Sequence, residues 1–171
     1  MGKKITVREF IVLLRRSGIE TVELSPSEIK GYKNRWYRTF VSPAKDSGRL
    51  RAVCLGIDDD LRIHPGCGKD ARESGFKGFL WHVYRYEAII DYKKGIYARA
   101  AFNRQLKKNM ILVDNFSREN TAFLIRDAPG IRAEDLDNLT DATITDVDYA
   151  WTYSKTHEEE WFGPYFYKKR V

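Results

Sequence analysis

The residues best suited to chemistry lie near the end of the chain. His157-Glu158-Glu159-Glu160 sets an imidazole beside carboxylates, but it is not the zinc-protease helix motif, because no second histidine follows four residues on. Asp146 and Asp148 leave one face of the segment before it, so carboxylates and imidazole can converge. With His82 from elsewhere in the chain, a two-histidine acid/base pair is conceivable, which makes His82, His157 and Glu158 the catalytic candidates. No local Ser or Cys reads as an activated nucleophile, so the sequence leans away from an enzyme. His64 and Cys67 are spaced like half a ligand set, with Cys54, His82 and His157 as the other soft ligands. A structural zinc site needs four ligands in two close pairs, so no metal is expected. Gly66-Cys67-Gly68-Lys69 resembles the end of a phosphate loop, but Ile63 and Asp70 break the pattern at both ends, and no cofactor is expected.

Charge suggests a different chemistry. The 171 residues carry a net +6, divided as +11 over residues 1–108 and −5 over residues 109–171. Lys30, Lys33, Arg35 and Arg38 alternate with Tyr32, Trp36 and Tyr37, a mixture that can give cations to phosphates and rings to bases. The competing reading turns the rings inward, and their spacing favours it. The two halves of the chain then attract each other on folding.

Several elements must position these residues. Thr6 to Glu9 is a capping box, Val7, Phe10, Ile11 and Leu14 follow at helical spacing, and Gly18 supplies the stop. The same Thr6 ends an N-terminal stretch that fits an acylation pattern, but a helix cap explains it better. Ile19 to Leu24 reads as a short strand. Ser25-Pro26-Ser27-Glu28 opens a second helix with Ile29, Tyr32, Trp36 and Phe40 on one stripe, ended by Pro43. Leu50 to Ile57 suits a strand or a helix end. Residues 56–78, rich in glycine, read as a mobile loop with a short helix near Lys69 to Ser74. Phe79 to Tyr86 is apolar or aromatic on both faces, as in a central strand. Ile96 to Leu106 reads as a helix with Ala98, Ala101, Phe102 and Leu106 inward. Met110 to Val113 is a strand, Ser117 caps a helix through Ile125 while Thr121 to Ile125 also suits a strand, and Ala133 to Asn138 is a short helix. Thr143 to Ser154 reads as one strand with Val147, Tyr149, Trp151 and Tyr153 on a face, and Tyr165 to Tyr167 as the last.

Helices come first and strands mix in later, which gives a fold class of α+β: a single domain over residues 1–171, with a mixed or antiparallel sheet of four or five strands. The strands around Trp81 and Trp151 should be central and the helices mainly on one face. The longest apolar run, Phe10 to Leu14, is too short to cross a bilayer, so no membrane partner is expected. Two cysteines without a secretory signal read as a reduced, cytoplasmic protein.

Leu80-Trp81-His82-Val83-Tyr84, Ala98-Arg99, Phe102, Trp151-Thr152-Tyr153, Thr156-His157-Glu158 and Gly163-Pro164-Tyr165-Phe166 together resemble an uncharacterised family of small bacterial proteins, mainly from Bacillus-type bacteria. The resemblance covers about residues 79–168. It implies a cytoplasmic protein of one domain and no known reaction. It marks Trp81, His82, Trp151, Thr156, His157, Glu158 and Tyr165. Trp161-Phe162 departs from the shorter turn, often with Cys, that the family carries there, and the long loop departs as well.

Three functions follow from these readings. The first is a non-catalytic domain that binds an unidentified protein partner in an inhibitor or immunity-type role. It needs an aromatic patch drawn from Tyr32, Trp36, Tyr37, Trp161 and Phe162. The second is a nucleic-acid or nucleotide-binding protein using the basic first two thirds. The third is a small hydrolase-like enzyme using His82, His157 and Glu158. The binding candidates are Trp81, Thr156, His157, Glu158, Tyr165, Lys33, Arg35 and Arg38.

Overall fold

A computed structural model describes residues 2–55, 80–114, 121–158 and 161–170. The expected loop 56–78 with its helix near Lys69, and Ser117 as a helix cap, lie outside the described residues. The elements are α1 (Val7–Arg16), β1 (Thr21–Glu23), α2 (Pro26–Phe40), α3 (Gly48–Leu55), α4 (His82–Arg85), β2 (Lys93–Lys94), α5 (Ile96–Asn103), β3 (Asn109–Asp114), β4 (Thr121–Arg126), a 3-10 turn (Ala133–Leu136), β5 (Ala142–Asp146), β6 (Trp151–Lys155) and β7 (Tyr165–Lys168).

Both capping boxes form. Thr6 Oγ1 accepts from the Glu9 amide at 3.1 Å while Glu9 accepts from the Thr6 amide at 2.7 Å. Ser25 and Glu28 repeat the exchange at 3.3 and 2.7 Å. Gly18 ends α1 with φ +84°, a conformation that costs a residue without a Cβ little.

The fold is α+β around one antiparallel sheet in the order β1-β4-β3-β5-β6-β7-β2. It has seven strands rather than four or five, because the one strand expected over 143–154 is two, β4 lies where a helix was also open, and β2 is two residues long, too short to show a period. Nor do the helices gather on one face. α1 and α5 pack on one side against Met110, Leu112, Ile144, Trp151 and Tyr153. α2, α3 and α4 cover the other, over Val113, Ala122, Tyr149 and Tyr165. Strand β3 is apolar at successive positions, Met110 to Val113, and so demands cover on both faces.

Three local readings change. Residues 82–85 are a helical turn, not a strand; the rings of that stretch are buried between the sheet and α2–α3, so the both-faces pattern reports burial and not pleat. Residues 143–154 are a hairpin: the chain reverses between Asp146 and Trp151, and Tyr149, at φ +57°, leaves the Trp151–Tyr153 face to pack under α2. Of the two readings of Thr121 to Ile125 the strand is the one observed, as β4 over Thr121–Arg126. α5 stops at Asn103 and Leu106 is exposed. Residues 50–55 lie within a helix. β6 is an interior strand, as expected for Trp151. No helix among the described residues is long and apolar enough to cross a membrane.

Candidate functional site

The hairpin register builds the site. Ala142 pairs with Lys155 at the open end of β5–β6, so Asp141, just before β5, meets Thr156 and His157, just after β6. The Asp141 side chain is fully buried (0% exposed) and the His157 side chain is 35% exposed. Asp141 Oδ1 accepts from the His157 amide at 3.1 Å, and Oδ2 lies 2.6 Å from His157 Nδ1. Burial raises the Asp141 pKa; the charge of His157 and the hydrogen bonds of its amide and ring oppose the rise, and the nearby Trp81 side chain favours the charged form as well.

Trp81 sits at the centre of the cluster. It enters from the residue before α4, whose Val83 and Tyr84 are buried; the Tyr84 ring stacks on Tyr165 of β7 at 4.5 Å. His82 stacks on the Trp81 ring at 4.3 Å, His157 meets Trp81 edge-on at 6.2 Å, and Phe162 lies along it at 6.0 Å. Burial first, then the charges of Arg85 and His157, hold the His82 pKa down to about 4, so this ring is neutral at physiological pH. Thr156 Oγ1 donates to the Phe162 carbonyl, and the Trp161 and Phe162 amides donate to the Glu158 carbonyl at 2.9 and 2.6 Å, which closes the turn. Glu158 Oε1 then stands 3.8 Å from His157 Nε2. Arg85 lies over the Phe162 ring at 5.1 Å.

Trp81, His82, Thr156, His157 and Glu158 are therefore brought together, with Tyr165 behind them as support. Other candidates fall elsewhere. Lys33 is buried beneath α2 near Asp114, and burial pushes its pKa down to about 8, so it offers no cation to a phosphate at the surface. Arg35 lies over Tyr149 at 4.3 Å, and Arg38 is exposed on α2. Asp146 and Asp148 occupy the turn at the far end of the hairpin, where Asp146 Oδ2 accepts from the Asp148 and Ala150 amides at 3.2 and 3.3 Å. Asp141 was not among the expected residues. A register counted back from a turn at 147–150 is the signal that finds it. Of the expected aromatic patch, Tyr32, Trp36 and Tyr37 are buried, Phe162 is half-buried, and only Trp161 is open, at 74% exposure.

The arrangement resembles the acid/base half of a hydrolytic triad. A carboxylate at Nδ1 fixes the neutral ring as the Nδ1–H tautomer, which makes Nε2 the basic nitrogen and steadies the imidazolium when it forms. Among the described residues, no group of three His, Cys, Asp or Glu side chains is arranged to hold a metal ion. In the comparisons with known proteins, residues 69–166 match a family described as a domain of unknown function (DUF4275). No curated protein matches the chain, and no solved structure does.

Proposed function

We propose that this chain, which belongs to the DUF4275 family, is a small hydrolase-like enzyme whose acid/base group is His157 held by Asp141. One observation carries the reading: a fully buried carboxylate is spent on the Nδ1 and amide of a histidine whose ring remains one-third exposed. Burying a carboxylate is costly, and here the return is a fixed tautomer and a defined ring orientation. Nε2 accepts a proton from substrate or water; Asp141 from one side and Glu158 from the other stabilise the imidazolium. Trp81 and Phe162 form the apolar wall. His82, neutral and stacked, shapes that wall rather than carrying charge.

The test is a panel of chromogenic carboxylic esters, phosphoric esters and a phosphodiester that carries its own neighbouring hydroxyl, assayed with wild type, His157→Gln and Asp141→Asn. An activity that falls about 100-fold or more in His157→Gln, with a comparable loss in Asp141→Asn, supports the reading. Activity equal in all three proteins, or none on any ester, counts against it.

A second reading, the protein-interaction role, is favoured by exposed Trp161 together with Ile96 and Tyr97, which are 73% and 71% exposed. Large exposed apolar side chains in proximity mark interaction surfaces. Lys94 ties Trp161 to this neighbourhood, donating to its carbonyl at 2.9 Å.

A further inference from the structure

We infer that the substrate of this site is single-stranded RNA, cleaved by attack of its own 2′-hydroxyl. The inference rests on the acid/base reading of His157. It adds what flanks that ring: exposed cations and the open rings of Tyr86 and Trp161.

These groups belong to residues already placed. Tyr86, half exposed, lies 6.2 Å from His82, which stacks on Trp81, which meets His157. Arg85 covers Phe162, and Lys94 stands 6.0 Å over Tyr165 while donating to the Trp161 carbonyl. Trp161, whose carbonyl accepts from Lys94, is open to solvent. Arg85 and Lys94 are exposed, and neither has a carboxylate partner among the described residues. Cations on aromatic surfaces beside open rings are what a single strand requires: phosphates meet the cations, and unpaired bases stack on the rings. RNA also brings its own nucleophile. From the protein it needs a base, phosphate contacts and stacking surfaces, and these residues offer all three.

The step balances without a co-reactant. Nε2 of His157 takes the 2′-hydroxyl proton as the 2′-oxygen bonds to phosphorus. The bond from phosphorus to the 5′-oxygen breaks, and that oxygen takes a proton from water. The hydroxide left behind takes the proton from His157. The products are a 2′,3′-cyclic phosphate and a 5′-hydroxyl.

The experiment uses the full chain and three fluorescein-labelled strands of one sequence: RNA, fully 2′-O-methylated RNA, and DNA. The RNA should be cut to 2′,3′-cyclic phosphate ends, and the other two left intact. His157→Gln should slow cutting about 100-fold or more yet still bind the 2′-O-methyl strand. Trp161→Ala, at an exposed position where folding is not at stake, should weaken that binding roughly five- to 100-fold, and Arg85→Ala with Lys94→Ala should weaken it further. Intact RNA overturns the proposal even if the strand binds. So does cutting that persists in His157→Gln, or binding indifferent to Trp161, Arg85 and Lys94. The ester panel and the His157 ring tautomer judge the acid/base reading separately, so its failure is distinguishable from failure of the RNA assignment.

Discussion

His82 and His157 share one tryptophan but are prepared for different tasks. His157 has a carboxylate at Nδ1; His82 is held near pKa 4 by burial, Arg85 and His157. Unfolded, the His82 ring takes up its proton near pH 6.5. Between those values the unfolded chain binds more protons, so the stability linked to His82 is present above pH 6.5 and is lost as pH falls towards 4. The ring is partly exposed, so screening reduces the loss to on the order of 1–2 kcal/mol. Urea unfolding of wild type and His82→Gln across that range should show the difference shrinking by that amount as pH falls; parallel curves would contradict it. Asp141→Ala leaves the His157 amide without its acceptor and should cost about 2–3 kcal/mol, while Asp141→Asn, which keeps an oxygen there, should cost less. The imidazole and Glu158 were legible in the sequence because they are contiguous. Asp141 was not, because it reaches His157 only through the pairing of β5 with β6.

Capping residues and a buried hydroxyl network govern the elements that hold this site. α2 is anchored to the sheet by polar contacts as well as packing. Tyr32 Oη lies 2.7 Å from Thr145 Oγ1, Trp36 Nε1 donates to Thr152 Oγ1 at 2.9 Å, and the two threonines meet at 2.9 Å. Trp36→Phe, which keeps a ring and removes the donor, should lower stability by about 1–2 kcal/mol in urea unfolding. Ser25→Ala, which removes the cap of the same helix, should lower it by about 1 kcal/mol. A Trp36→Phe protein as stable as wild type would show that packing alone holds α2. The two capped helices were readable because caps are local and residue-specific. Segments 82–85 and 143–154 differ from the strands their patterns suggest because Trp81, Tyr84, Trp151 and Tyr153 answer to burial, and a two-fold period cannot separate a buried turn or a tight hairpin from one long strand.

Across the whole molecule the charge asymmetry is partly neutralised. Arg99, from the basic portion, pairs with Asp137 and lies 3.4 Å from Glu134, both from the acidic portion. Lys4 donates to the Asp137 carbonyl at 3.3 Å. Other pairs stay within the basic portion, Arg8 with Glu23 and Arg51 with Asp46, each at 2.7 Å. Arg85 and Lys94 are left as open cations beside the site. Binding of the 2′-O-methyl strand should therefore weaken with salt, with a slope of roughly −0.7 in log–log form for each cation engaged, and Arg85→Ala should reduce that slope. The α+β class was visible in the order of elements, but the number of strands was not, since it depends on a hairpin that reads as one strand and on a two-residue edge strand.

The central claim is that buried Asp141 holds His157 as a base, and nitrogen-15 NMR of the histidine rings tests it most directly. In wild type the neutral His157 ring should carry its proton on Nδ1, and Asp141→Asn should shift the tautomer balance. A ring protonated on Nε2, or one indifferent to Asp141→Asn, would contradict the account.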